Sequence, residues 1–274
     1  MPPFFDCNPQ ILSEPMKAYC INLDRRPDRL EYITAEFARV GVPFERIPAV
    51  DAQEPSIAAL AASCLTTSIG PRMSAGAYGC FQSHREFWRR LVESGDLYGM
   101  VFEDDLVIAH GIGAYLADDW LPEDADIIRL ETLGTRAHLD RNELRMAGSR
   151  HLFRLRSCIL GTGCYVISSK AAQGLLEITE VFREPIDQFL FNTALPDFPH
   201  LTIYQMMPAP VIQGDRAVLA TPQTWVETSI TERFEANATV KAELETLLAR
   251  IRRRIFEEMR AKKNGTRYVR IPFG

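Results

Sequence analysis

Three adjacent carboxylates, Glu103-Asp104-Asp105, stand at the end of the apolar run Leu97-Tyr98-Gly99-Met100-Val101-Phe102 and just before Leu106-Val107-Ile108. The run reads as a buried strand. Acids at its mouth repel one another and resist burial, so they call for a cation. Alternate side chains of a strand share a face, which sends Glu103 and Asp105 one way and Asp104 the other. Carboxylate oxygens are hard ligands suited to Mg²⁺ or Mn²⁺, ions that reach proteins through one or two carboxylates plus substrate phosphates. For an isolated triplet the alternative is a turn of solvated acids, and here the surroundings decide against it.

Those surroundings alternate between strand and helix patterns. Residues 18–23 form a short apolar strand. Pro27 then suits the first turn of a helix, on which Leu30, Ile33, Phe37 and Val40 recur at helical spacing until Gly41 ends it. Residues 44–50 read as a second strand ending at Asp51, which completes a strand–helix–strand unit, the seed of a parallel sheet. A helix over 74–93 carries the stripe Ala77, Phe81, His84, Trp88 and Leu91. Further strands are predicted at 97–102, 126–130, 160–167 and 202–206, with helices over 170–177 and around Asp187. Residues 133–156, rich in Arg and His, read as an exposed hairpin or loop, and 214–236 as irregular chain. The expected fold is α/β in three layers. In such sheets ligands collect at the carboxyl ends of the strands. Asn22, Asp51, Glu103 to Asp105 and Glu131 all fall at those ends.

A chain of 274 residues can hold one large α/β domain or two small ones. The net charge of −5 gives no reason to expect nucleic acid. The first residues lack the basic and apolar regions of a signal peptide, and no run of about 18 apolar residues spans a bilayer. The six cysteines form no Cys-x-x-Cys pair and read as small buried hydrophobes in a reducing compartment. The expectation is a cytoplasmic protein.

Several residues admit two readings. His84 is either a core histidine satisfied by a carboxylate or the group that orients an acid or a ligand phosphate. Asp187, after Pro185-Ile186, is either a first-turn acid on the helix dipole or a general base. Gly161 and Gly163 weaken a strand unless backbone or ligand approaches closely. Arg25, Arg26 and Arg29 suit either a diphosphate or a solvated helix face.

Taken in order, these segments resemble glycosyltransferase family 25, which includes bacterial lipooligosaccharide galactosyltransferases and animal procollagen galactosyltransferases. The resemblance runs over residues 17–215. It rests on Ile21-Asn22-Leu23-Asp24-Arg25-Arg26-Pro27-Asp28-Arg29, Phe44-Glu45-Arg46-Ile47-Pro48-Ala49-Val50-Asp51 and Gly79-Cys80-Phe81-Gln82-Ser83-His84. Phe102-Glu103-Asp104-Asp105, Gly161-Thr162-Gly163-Cys164-Tyr165-Val166-Ile167-Ser168, Pro185-Ile186-Asp187 and Pro210-Val211-Ile212-Gln213 complete it. It implies a GT-A type nucleotide-sugar fold with a Rossmann-like, mostly parallel sheet and helices on both faces, within residues 1–236. It also implies a divalent-ion site of Glu103, Asp105 and Gln213. Asn22, Arg25, Arg29, Asp51, Ser83, His84 and Asp104 would serve the donor, and Asp187, or failing it Glu131, would be the base.

The residue types suit that chemistry. Mn²⁺ or Mg²⁺ neutralises charge on a departing diphosphate, here from a UDP-sugar donor such as UDP-galactose. The sugar passes through an oxocarbenium-like state, and in inverting transfer a carboxylate takes the proton of the acceptor hydroxyl. The acceptor class is a saccharide or glycolipid of the lipooligosaccharide kind. A metal-dependent phosphoryl transferase or nuclease would need a second acidic cluster and a phosphate-cradling loop, and the sequence has neither. A binding protein on a degenerate transferase fold would be expected to lack the triplet or Asp187, and both are present.

Residues 237–274 form a separate tail with a charged amphipathic helix. Basic residues from Arg250 onward outnumber acids, and Leu247, Leu248, Ile251, Ile255 and Met259 share a stripe. Two readings stay open. The stripe packs on the catalytic domain, or it lies on an anionic membrane, where each basic residue contributes about 1 kcal/mol.

Overall fold

A computed structural model describes residues 15–64, 73–195, 198–217 and 240–274, with the side chains of 240–251 left out. Along the chain run β1 (Lys17–Asn22), α1 (Pro27–Val40), β2 (Glu45–Pro48), α2 (Pro55–Ser63), α3 (Ala75–Ser94), β3 (Tyr98–Glu103) and β4 (Leu106–Ile108). Then come β5 (Ile127–Arg129), β6 (Glu131–Thr132), β7 (Arg136–Asp140), β8 (Arg145–Ala147), β9 (Arg150–Arg154), β10 (Cys164–Ser168), α4 (Ser169–Ile178) and α5 (Ile186–Phe191). The last elements are β11 (Ile203–Met207), β12 (Val211–Gln213), α6 (Gly214–Ala217), α7 (Val240–Lys263) and β13 (Thr266–Arg270).

Eight strands form the main sheet in the order β2-β1-β3-β10-β5-β11-β9-β8. Six of them run one way, while β10 and β9 run the other, so the sheet is mixed but mostly parallel in direction. Strand alternation splits the core into two layers. Tyr19, Ile21, Val101, Tyr165 and Ile167 face α3, α4 and α5. Cys20, Met100, Phe102, Cys164 and Val166 face Ile33 and Phe37 of α1. Helices therefore cover both faces, and the strands are buried on both sides as parallel segments require.

Sequence periodicity finds most of these elements to within a few residues, and it misses three features. Residues 133–156 hold the expected hairpin, β8 paired antiparallel with β9, but they also supply β7 and are buried in part. Their alternation is masked because His138 and Arg150 are themselves buried, each with a polar partner. The strand expected from residue 160 begins only at Cys164, because Gly161 sits at φ +90° and cannot continue a ladder. Helix α2 lies in the connection after Asp51, where its short apolar stretch has little amphipathic pattern. Of the irregular chain expected at 214–236, the first four residues form α6, and 218–236 lie outside the described residues.

The tail also differs in one respect from a free appendage. After α7, β13 pairs antiparallel with β7, from Thr266 opposite Asp140 to Arg270 opposite Arg136. Ile271 is buried, and its carbonyl accepts the Thr132 hydroxyl at 2.7 Å.

Candidate active site

The insertion of antiparallel β10 between β3 and β5 builds the site. It brings the start of β10 to the edge where β1, β2, β3 and β5 end. Residues 161–163 thereby meet three carboxylates at once. The Gly161 amide donates to Asp187 Oδ2 at 3.3 Å, the Thr162 hydroxyl to Glu103 Oε1 at 2.9 Å, and the Gly163 amide to Glu131 Oε2 at 2.9 Å. A Cβ at Gly161 would lie 2.7 Å from Glu131 Oε2, and one at Gly163 would lie 2.8 Å from Glu131 Oε1. The close approach that these glycines permit is thus to a buried carboxyl of the protein itself.

Glu103 is oriented from helix α3. His84 Nε2 lies 3.3 Å from Glu103 Oε1, and His84 Nδ1 lies 3.0 Å from the Tyr165 hydroxyl. Trp88 donates to that hydroxyl oxygen at 3.0 Å. Tyr165 can then give its own hydrogen to Nδ1, which leaves an Nε2 hydrogen for Glu103. Burial works to raise the Glu103 carboxyl, yet the hydrogen bonds from His84 and Thr162, with the Arg29 charge, hold it below its ordinary range. His84 is therefore at once a core histidine and an orienting group.

Asp104 takes its partners from the first strand–helix unit. Asn22 Nδ2 donates to Asp104 Oδ2 at 2.7 Å and Arg29 to Asp104 Oδ1 at 2.9 Å. The face alternation expected for the triplet does not carry through. The strand ends at Glu103, and the following turn brings Asp105 Oδ2 to 3.8 Å from the same Arg29. Burial, and the negative charge of Glu103 next, push the Asp105 carboxyl up to about 7. Asp215, at the start of α6, adds to that charge. Glu131 is fully enclosed, and burial pushes it up to about 8 although Arg129 lies 3.3 Å away. Arg129 is itself buried over the Phe191 ring, and it donates to the carbonyls of Leu160 and Gly161.

These groups bear on whether a cation fits. Asp105 Oδ1, Asp215 Oδ1 and Glu131 Oε1 are buried and lack a hydrogen-bond partner among the described residues. Orphaned hard oxygens and a carboxyl raised by burial and by neighbouring acids are what a divalent ion would correct, so the donor set fits Mg²⁺ or Mn²⁺. Cys80, one turn before His84, brings its sulfur into a group with His84 and Glu103 whose ligand atoms lie within 4.8 Å of one another. Burial raises that thiol well above its ordinary value, which disfavours the thiolate a soft metal needs.

The remaining predicted residues occupy four places. Asn22 and Ser83 are buried braces. Asn22 also accepts from Arg46, and the Ser83 hydroxyl is spent between Gly79 O and the Val50 amide. Arg25 and Asp51 pair at 2.7 Å on the exposed rim beyond β2. Gln213 stands opposite Leu106 in the β4–β12 ladder, and the Gly214 amide donates to Asp105 O at 2.7 Å. Asp187 is half-buried, its Oδ1 accepting the Gln188 amide at 2.7 Å. Sequence reasoning missed Asp215, Arg129 and Cys80. Asp215 follows the end of β12 by two residues, Arg129 is the lone charge inside Ile127-Ile128-Arg129-Leu130, and Cys80 stands four residues before His84.

The description "Glycosyltransferase family 25 (LPS biosynthesis protein)" matches residues 16–190. The chain belongs to this family and is a glycosyltransferase. Among its relatives is the lacto-N-neotetraose biosynthesis glycosyltransferase LgtB of Neisseria gonorrhoeae, 30% identical over 71% of this chain and 73% of that protein. LgtE of the same organism is 29% identical over 71% and 72%. The lipooligosaccharide biosynthesis protein lic2B of Haemophilus influenzae is 28% identical over 71% and 75%. The matched span of this family 25 chain holds Glu103, Asp105, Glu131 and Asp187, and Asp215 lies beyond it. No helix among the described residues is long and apolar enough to cross a membrane.

Proposed function

We propose that this glycosyltransferase transfers a hexose, galactose, from a UDP-sugar to a saccharide acceptor in lipooligosaccharide synthesis, with inversion and with a divalent ion, on a GT-A type fold. The observation that carries this reading is the grip of residues 161–163 on Glu103 and Asp187 together. It holds a carboxylate of the acidic triplet and a separate, half-exposed carboxylate on one short segment. The names of LgtB, LgtE and lic2B support the acceptor class.

In this reading Glu103 and Asp105 hold the ion, with Asp215 beside Asp105 and Gln213 next along the ladder. The bound ion would offset charge developing on the leaving diphosphate. Asp187 takes the proton of the acceptor hydroxyl. Both of its oxygens already accept backbone amides, which fix its direction. Glu131 is sealed beneath Gly161 and Gly163 and cannot reach an acceptor in this conformation, so Asp187 is preferred as base. His84, backed by Tyr165 and Trp88, keeps Glu103 aimed at the ion. Asn22 and Arg29 position Asp104. Arg25 and Asp51 on the rim serve the nucleotide.

A panel of UDP-sugars, each with and without Mn²⁺ and with an acceptor ending in a free sugar hydroxyl, tests the reading by release of UDP. Fastest release from UDP-galactose with Mn²⁺ is expected. Release unaffected by chelation, or confined to another donor, rejects the metal or the donor respectively.

A further inference from the structure

We propose that the outer face of α7 is a docking surface for an anionic phospholipid bilayer. The carrying observation is the direction of its apolar residues. Ile255, Phe256 and Met259 are 54%, 64% and 67% exposed, so this part of the stripe does not pack on the catalytic domain. The helix meets the rest of the protein through another edge. Glu257 Oε2 lies 2.8 Å from His138 Nε2 of β7, and Ala261 is buried. At about 100° per residue, Ile255, Met259 and Phe256 centre roughly 170° from the Glu257–Ala261 edge. They point directly away from the body of the protein.

Charge identifies the occupant. On the same wheel Arg252 and Lys263 fall inside the apolar arc, and Lys262 and Arg260 flank it. All four are exposed. The acids of this stretch lie outside the arc, Glu257 toward β7 and Glu258 paired with Arg254. An apolar strip rimmed by cations alone suits a surface with acyl chains beneath anionic headgroups. A second copy of the same face would set cation against cation, which disfavours a helix-to-helix dimer.

The proposal is independent of the donor and acceptor reading, and the test keeps the two apart. The full chain is spun with phosphatidylglycerol vesicles and, separately, with phosphatidylcholine vesicles. Binding to the first only, weakened by high salt, is expected. Ile255→Ser/Phe256→Ser/Met259→Ser should lower the bound fraction at least tenfold. Arg252→Glu/Lys263→Glu should do the same while leaving the apolar residues in place. All five positions are exposed, so the variants should keep the wild-type circular dichroism and the wild-type rate of UDP release with a soluble acceptor. A full chain that ignores phosphatidylglycerol, or folded variants that still bind it, overturns the proposal. So does a triple variant that only converts a dimer to a monomer in sedimentation velocity, since that gives the face to a second copy. UDP release reads the transferase reaction separately, and its absence would count against that reading alone.

Discussion

The Gly163 amide donates to Glu131 Oε2 at 2.9 Å, and a side chain on the same glycine would strike the other carboxylate oxygen. The loop that reaches the ends of β3 and β5 is therefore seated on a buried acid. Gly163→Ala should cost about 1–3 kcal/mol through overpacking, since Leu106 Cδ2 would also lie 2.9 Å from the new methyl. Gly161→Ala adds the strain of φ +90°. Urea unfolding midpoints check both, and wild-type values would mean that the Glu131 carboxyl moves freely aside.

Asp187→Asn should lower turnover roughly 10²–10⁴-fold, the range for a positioned proton acceptor, with the donor KM nearly unchanged. Asparagine keeps an oxygen for one of the two amides, so the fold should hold. A large rise in donor KM at normal turnover would make Asp187 a binding residue instead.

Binding of Mn²⁺ should depend on pH. Without an ion, the Asp105 carboxyl is raised to about 7 from an ordinary value of 3.8, burial being the chief cause. The ion must displace that proton, so affinity should climb as pH rises toward about 7 and level off above it. Calorimetric titration with Mn²⁺ from pH 5.5 to 8.5 reads this, and Asp105→Asn should remove both the slope and most of the affinity. A flat profile in the wild type would mean that Asp105 is not a ligand.

Glu131→Gln should change how stability responds to pH. The folded carboxyl holds its proton up to about 8, against an ordinary value of 4.5, because it is buried. Between those values the unfolded chain binds fewer protons than the folded one. Wild-type stability therefore falls as pH rises from about 4.5 to about 8 and is level above. Glutamine does not titrate, so in chelator the variant should gain on the wild type as pH rises. Urea midpoints at pH 5, 7 and 9 measure the difference, and one that shrinks with pH would contradict the burial assigned to Glu131.

Much of this architecture is legible in the sequence, for identifiable reasons. The strand–helix–strand start and the acidic end of β3 are written in local periodicity, as is the helix carrying His84. The family follows from ordered motifs, and the gathering of Glu103 and Glu131 at one edge from strand ends, whereas the approach of Asp187 to that edge through the Gly161 amide does not. What periodicity could not supply is direction. Nothing local says that β10 runs against β3, yet that reversal delivers Thr162 to Glu103. Nor does it say that Gly161 and Gly163 are small because of Glu131, thirty residues earlier in sequence but adjacent in space. The strand β13 was hidden for a similar reason, since its partner β7 lies within a segment whose buried residues include polar ones.

The pairing of β13 with β7 changes what a shortened chain would mean. Among the described strands, β13 is the neighbour that β7 pairs with along its whole length. A chain ended before Thr266 would uncover the edge of β7 that β13 pairs with, next to buried Ala137 and Leu139, while the opposite edge stays bonded through the Arg156 amide on the His138 carbonyl. Open edges of that kind recruit strands from other molecules. A truncated protein would then sediment by self-association, with or without lipid, and would also lose the bond that Thr132 makes beside Glu131. Point substitutions on the outward face of α7 leave that edge covered.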